Sequence, residues 1–147
     1  MVWRATPQEA KTTDGESRKA ALRGRVEGGV PVGLLGYVDG EPTAWCSVAP
    51  RETYRRLGGP DGDGVWSVVC FFVPRRARGG GLMTAMLHAA IEHARQHGAR
   101  VLEAYPVDPD SPSYRFMGFV PTYEALGFHK VTRTGKRRHV MRLNLTP

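Results

Sequence analysis

Residues 65–98 constrain the fold more than any other part of the chain. They begin with VWSVVCFFV (Val65–Val73), almost continuously apolar and rich in β-branched and aromatic side chains, the composition of a strand buried on both faces. They end in a helical pattern: Met83, Leu87, Ala90, Ile91 and Ala94 form one apolar stripe. His88, Glu92, Arg95 and Gln96 fall largely elsewhere, and Gly98 supplies the stop. Between strand and helix lies PRRARGGG, with three arginines and three successive glycines. Glycine is the costliest ordinary residue to order, so three in a row before a helix need a reason.

The backbone supplies one. The amides of such a turn, and of the first turn of the helix, have no internal acceptor, and the helix dipole favours an anion beside them. Without Cβ atoms the chain can follow a phosphate surface closely, and Arg75, Arg76 and Arg78 add positive charge. The unit reads as a diphosphate cradle, with a merely flexible strand-to-helix loop as the alternative. It is not a P-loop, because no Gly-Lys-Ser/Thr triplet follows the glycines. Nor is it the dinucleotide fingerprint, because Met83 and Thr84 stand where a third glycine belongs.

The rest of the chain frames this unit. Ser17–Glu27 is predicted as a helix that Gly24 weakens and Gly28–Pro31 ends. Val32–Val38 and Thr43–Val48 are predicted strands joined by an Asp39-Gly40 turn. RETYRRLGG, from Arg51, fits one helical turn, and Gly58–Gly64 reads as a loop carrying Asp61 and Asp63. RVLEAYPV (Arg100–Val107) is a further strand, and PTYEALGF is a short helix with Pro121 in its first turn and Gly127 as C-cap. HKVTRTGKRRHVMRLNL closes the chain as a hairpin. No repeat or linker divides residues 1–147, so one domain is expected, large enough to bury roughly 70% of its unfolded surface.

Composition narrows the function. No apolar run approaches the ~20 residues of a membrane span and the first twenty residues lack a signal-peptide core, so the expected compartment is the cytoplasm, with no membrane partner. Cys46 and Cys70 fall in predicted strands with no histidine cluster at ligand spacing; both are expected as reduced core residues, and no metal is expected. The net charge is +7, and 17 of the 21 basic residues are arginine, the side chain that forks onto phosphate and carboxylate oxygens. An anionic ligand fits that balance.

The run CFFVPRRARGGGLMTAMLHAAIEHARQHGARVLEAYPV followed by YEALGF resembles the GNAT superfamily of acetyl-CoA-dependent N-acetyltransferases. The family signature, Arg/Gln-x-x-Gly-x-Gly/Ala, maps to Arg78-Gly79-Gly80-Gly81-Leu82-Met83, with Met83 where a small residue is usual. A second register, Arg76-x-x-Gly79-x-Gly81, also fits the letters but sets the apolar helix positions two residues out of step. YEALGF (Tyr123–Phe128) is an independent match. The resemblance covers residues 32–145 and thins upstream, where family members open with a strand and one or two helices and only one weak helix is legible here.

The resemblance implies an α/β (α+β) fold: a mixed, mostly antiparallel twisted central sheet flanked by helices, with a V-shaped splay between the fourth and fifth strands. The first thirty residues would be atypical or shortened. It implies acetyl-CoA as co-substrate and direct attack by a primary amine in a ternary complex. Coenzyme contacts are implied at Phe71, Phe72, Val73, Arg76, Arg78, Gly79, Gly80, Gly81, Leu82 and Met83, a backbone N–H of Phe71–Val73 holding the thioester carbonyl. Tyr123 is implied as the acid that protonates the departing thiolate.

The base has to be sought in the residues themselves. A lysine acceptor with a pKa of about 10.4 is neutral in only about one part in 10³ at pH 7, whereas an α-amino group near 8 hardly needs a base. Glu103 is the one carboxylate in RVLEAYPV and is costly there unless paired or functional, which makes it the first candidate, with an ion pair to Arg100 or an edge-facing position as the other reading. Asp108 is the second, acting directly or through water. Asp61, Asp63, Asp108 and Asp110 lie in loops expected to face the acceptor. If they converge with Glu103, the acceptor is a cationic small molecule such as a polyamine or an aminoglycoside-like amine.

The expected partner is a small-molecule or peptide amine, with homodimerisation left open. Two other readings stand beside the enzyme. One is a GNAT-shaped domain that holds CoA without transferring acetyl groups. The other is a nucleic-acid binder using Lys130, Arg133, Lys136, Arg137 and Arg138, but no stacking platform or recognition helix accompanies them, so nucleic acid is not the expected partner.

Overall fold

The architecture is built around the hairpin and the buried strand. In the computed structural model, which describes residues 3–12, 14–58 and 62–147, β1 (Leu34–Val38) and β2 (Glu41–Pro50) are joined by the Asp39-Gly40 turn, both residues at positive φ. Upstream, α1 (Gly15–Glu27) starts two residues before its expected position because Asp14 caps it, accepting from the Ser17 amide at 2.7 Å. No residue of α1 is buried, which fits its polar composition.

After β2, a single 3₁₀ turn at Arg51–Thr53 leads toward β3 (Val65–Phe72), whose first five residues are all buried. The loop expected at Gly58–Gly64 is described only in part, and Asp61 lies outside the described residues. Next come α2 (Leu82–Gln96), β4 (Val101–Ala104), α3 (Val120–Ala125), β5 (His129–Thr134) and β6 (Arg138–Asn144). The strands form one sheet in the order β1-β2-β3-β4-β6-β5, in which only β3 and β4 run parallel, with α2 as their crossover.

Alternation along the strands sends side chains to two faces. Ala44, Cys46, Val48, Trp66, Val68, Leu102 and Met141 meet α2 on one face through Met86, Leu87, Ala90, Ile91 and Ala94. Met86 thus takes the buried place expected for Met83, which stands at the helix start, only partly buried. The opposite face carries Ala49, Tyr54, Leu57, Val69, Tyr105 and Val140.

Two irregularities shape the end of the sheet. First, Ser47 pairs with Cys70 but Val48 with Val68, so Val69 is an extra residue in β3. Such a bulge turns the local alternation and is commonly found beside active sites. Second, β3 and β4 pair only from Val65↔Val101 to Val68↔Ala104. Beyond that point β4 ends, earlier than the expected Val107, and Val107 makes only isolated bridges to Phe119 and Arg138. The sheet is the mixed, mostly antiparallel, helix-flanked one expected. Its parallel pair parts between β3 and β4 in this chain's own count, because residues 3–33 add a helix but no strand.

Candidate active site

The end of β3, the glycine turn and the start of α2 enclose a cavity of about 490 Å³. Phe71, Phe72, Val73, Arg78, Gly79, Gly81, Leu82 and Met83 line it, so eight of the ten residues expected there come together. Arg76, exposed in the 3₁₀ turn Arg75–Ala77, and Gly80 are not among the lining residues. Ala77 and Thr84 complete this side, and the other wall comes from Arg115, Phe116 and Phe119. The sequence reading missed this wall; its one signal was the basic-aromatic run YRFMGF in what otherwise reads as a connection.

Local conformation explains the glycines. Gly79 (φ +84) and Gly81 (φ +77) occupy the left-handed region, Gly81 as the N-cap of α2 with no side-chain cap bond. Gly80 has no such requirement, and a Cβ at any of the three would meet nothing within 4 Å. The amides of residues 79–84 donate to no acceptor among the described residues; the first in register is Ala85, bonded to Gly81 O at 3.0 Å. Arg78 steadies the turn by donating from Nε to Val73 O at 2.9 Å. A run of free amides at a helix N-terminus, in open space and flanked by Arg78 and Arg115, fits the pyrophosphate of a coenzyme.

Past Val68 the edge of β3 that faced β4 has no strand partner, and this edge includes Phe71 and Phe72 at the cavity. Tyr123 lies just behind. It is fully buried, its phenol packs edge-on against Phe128, and its Oη donates to Met117 O at 2.9 Å. Burial raises its pKa well above the ordinary value, so it is a neutral phenol at any physiological pH. Tyr123 does not line the cavity, although Met83 does. Gly118 sits at φ +90, and a Cβ there would come within 2.8 Å of both Met83 Cε and Tyr123 Cε2.

Glu103 is not placed as a base. It is 0% exposed on the face opposite α2, where Arg142 Nε holds Oε2 at 2.7 Å and Arg51 Nε holds Oε1 at 3.3 Å. Tyr105 also donates to Oε1, and its hydroxyl bonds Ser67 Oγ at 2.9 Å. Ser67, Glu103 and Arg142 are direct cross-strand partners, so register assembles this cluster. The pairing reading of Glu103 is correct, but its partners are Arg51 and Arg142, whereas Arg100 binds the Asp63 and Gly64 region instead. A carboxylate so enclosed has no path to a substrate proton.

Asp108 Oδ1 lies 3.0 Å from Nε2 of buried His139 and lines neither this cavity nor the next. Asp63 and Asp110 are exposed and line neither. The described acids therefore do not converge, which removes the argument for a polycationic acceptor. Of the basic residues near the last hairpin, Lys130 pairs with Glu124 and Arg137 donates to Ser113, while Arg138 stacks over Trp3 and Tyr114. Among the described residues no group of three His, Cys, Asp or Glu side chains could hold a metal, and no helix is long and apolar enough to cross a membrane.

A second cavity, of about 530 Å³, opens on the sheet face opposite α2. The β3 bulge presents both Val69 and Cys70 to it, and Trp3, Trp45, Tyr54, Tyr114 and Phe116 make its walls largely aromatic. Cys70 is thus a half-buried wall residue rather than a core one; burial raises its thiol pKa, as it does for fully buried Cys46, and both are free. Phe116 lines both cavities, and successive residues of β3 line one each, Cys70 the second and Phe71 the first.

Comparison with known proteins agrees with this arrangement. The family model described as Acetyltransferase (GNAT) family matches residues 2–128. No curated protein matches the sequence. The fold is similar to that of YncA from Salmonella typhimurium, solved with its cofactor acetyl-CoA (TM-score 0.61, 22% identity, covering 92% of this chain and 76% of that one). It is also similar to the ribosomal-protein-alanine N-acetyltransferase of Brucella melitensis (0.57, 23%, 88% and 76%). A third is the ribosomal-protein-S18-alanine N-acetyltransferase of Escherichia coli (0.58, 16%, 93% and 81%).

Proposed function

This chain belongs to the GNAT acetyltransferase family, and from that premise we propose that it is a single-domain, acetyl-CoA-dependent N-acetyltransferase acting on a primary amine. The observation that carries the reading is the run of unbonded amides at residues 79–84 beside a cavity at the parting of β3 and β4. Those amides, with Arg78 and Arg115, bind the pyrophosphate, and the unpaired edge of β3 at Phe71–Val73 offers an N–H to the thioester carbonyl. Acetyl-CoA supplies the activated acyl group: the amine nitrogen forms a bond to the carbonyl carbon, the C–S bond breaks, and the thiolate leaves with the electron pair. The ammonium proton passes to water, since neither Glu103 nor Asp108 lines either cavity.

Tyr123 remains the candidate acid for the thiolate. Its phenol is neutral, and its ring lies beside Gly118, which also neighbours Met83 of the cavity wall. Tyr123→Phe is expected to lower kcat about tenfold while leaving acetyl-CoA affinity within a factor of two. If instead acetyl-CoA affinity falls with kcat unchanged, the hydroxyl serves only to hold the Met117 turn against the coenzyme. The two free thiols support a reducing compartment, and we assign the protein to the cytoplasm.

The direct test is ligand-linked stability. Acetyl-CoA at a hundredfold excess over its Kd should stabilise the fold by about 2.7 kcal/mol and raise Tm by several degrees. No shift at millimolar coenzyme would refute the reading. A shift with no CoA released over a broad panel of amines would favour a binding domain without transferase activity.

A further inference from the structure

Arg4 is the least expected residue in the second cavity. It lines the wall yet is only 4% exposed, and no carboxylate neutralises it among the described residues. Its Nη2 donates to Val32 O and to Tyr54 Oη, and its guanidinium lies 4.5 Å above the Tyr54 ring, all neutral partners. Nε is buried and makes no hydrogen bond among the described residues. Guanidinium does not shed its proton in proteins, so a buried unpaired Arg is costly unless something in the cavity offsets its charge. Arg56, exposed at the rim, adds a second positive charge, and the described lining contains no acid at all.

Position makes this charge relevant to the acceptor. Tyr54 Oη bonds Ser47 Oγ at 3.1 Å, and Ser47 is the direct cross-strand partner of Cys70, the residue before Phe71 on the wall of the first cavity. A ligand with an anion at Arg4 and a flat apolar body against Trp3, Trp45 and Tyr114 would extend toward the thioester. We infer that the acceptor is an α-amino acid with an aromatic side chain, its carboxylate held by Arg4 and its ring by the surrounding aromatic wall. The inference rests on the acetyltransferase reading and names the substrate class of the same site. Charge disfavours a polyamine: it would add cations beside Arg4 and Arg56, and the described lining offers no carboxylate to receive them.

The test compares matched amines on the unmodified protein, following CoA release. L-Tryptophan and L-phenylalanine should give kcat/KM at least tenfold above tryptamine and phenethylamine, which lack only the carboxylate, and spermidine should be inert. Arg4→Leu should abolish the preference by raising KM for the amino acids, with the Tm shift produced by acetyl-CoA retained. Because Arg4 also tethers Val32 and Tyr54, the wild-type comparison decides the matter if that variant does not fold. Equal turnover of the decarboxylated amines overturns the inference, as does turnover of spermidine. So does faster reaction of a phenylalanine-initiated peptide amide, which would assign the cavity to chain termini. Absence of any acetyl-CoA shift refutes the transferase reading itself, a result distinct from failure of the substrate class.

Discussion

Glu103→Ala is expected to destabilise the protein by about 3–5 kcal/mol and to lower Tm by about 10 °C or more, measured by calorimetry. The ion pairs on Oε1 and Oε2 hold Arg51 and Arg142, whose side chains are themselves 10% and 22% exposed, and removing the carboxylate takes from each its bond to Glu103 and from the buried Tyr105 hydroxyl its carboxylate acceptor. The damage should spread toward the second cavity. Arg51 also donates to Tyr54 O and Gly58 O, so the segment that brings Tyr54 and Arg56 to that cavity is anchored through Glu103. Affinity for acetyl-CoA should change far less, since no member of the cluster lines the coenzyme cavity. If Glu103→Ala left Tm within about 2 °C of wild type and abolished turnover, Glu103 would regain the role of base.

Gly81→Val is expected to weaken acetyl-CoA binding between tenfold and a hundredfold by titration calorimetry, whereas Gly80→Ala stays within threefold of wild type. At φ +77 a β-branched residue is an outlier, and holding it in the left-handed region costs about 1–2 kcal/mol before any steric intrusion. The turn would relax toward negative φ and swing the amides of residues 82–84 away from the proposed pyrophosphate site. Gly80 has neither the positive φ nor a place on the cavity wall. A result in which both variants bind as tightly as wild type would move the pyrophosphate site elsewhere.

These two residues also show what could be read before the fold was known. The need for glycine at the turn was legible, because it follows from strand, turn and helix in direct succession. Which of the three glycines matters was not, because φ depends on how the turn closes onto Val73 through Arg78. Glu103 was legible as an anomaly, a carboxylate in an apolar strand. Its meaning was not, because Arg51 and Arg142 reach it through register and across 52 and 39 positions of chain. The acids in the loops misled for the same reason: Asp108 faces His139 rather than its loop neighbours.

By itself the sequence determined the strand, the free amides, the helix dipole and the short helix at Tyr123, since each is a property of contiguous residues with near-neighbour physics. Tertiary structure alone decided the second cavity. Trp3 and Arg4, Trp45 and Ser47, Tyr54, Cys70 and Tyr114 come from five separate segments, and nothing local ties them together. Only the bulge at Val69, the parting of β3 from β4 and the N-terminal segment passing over that face bring a buried, unpaired guanidinium beside a ring of aromatic walls.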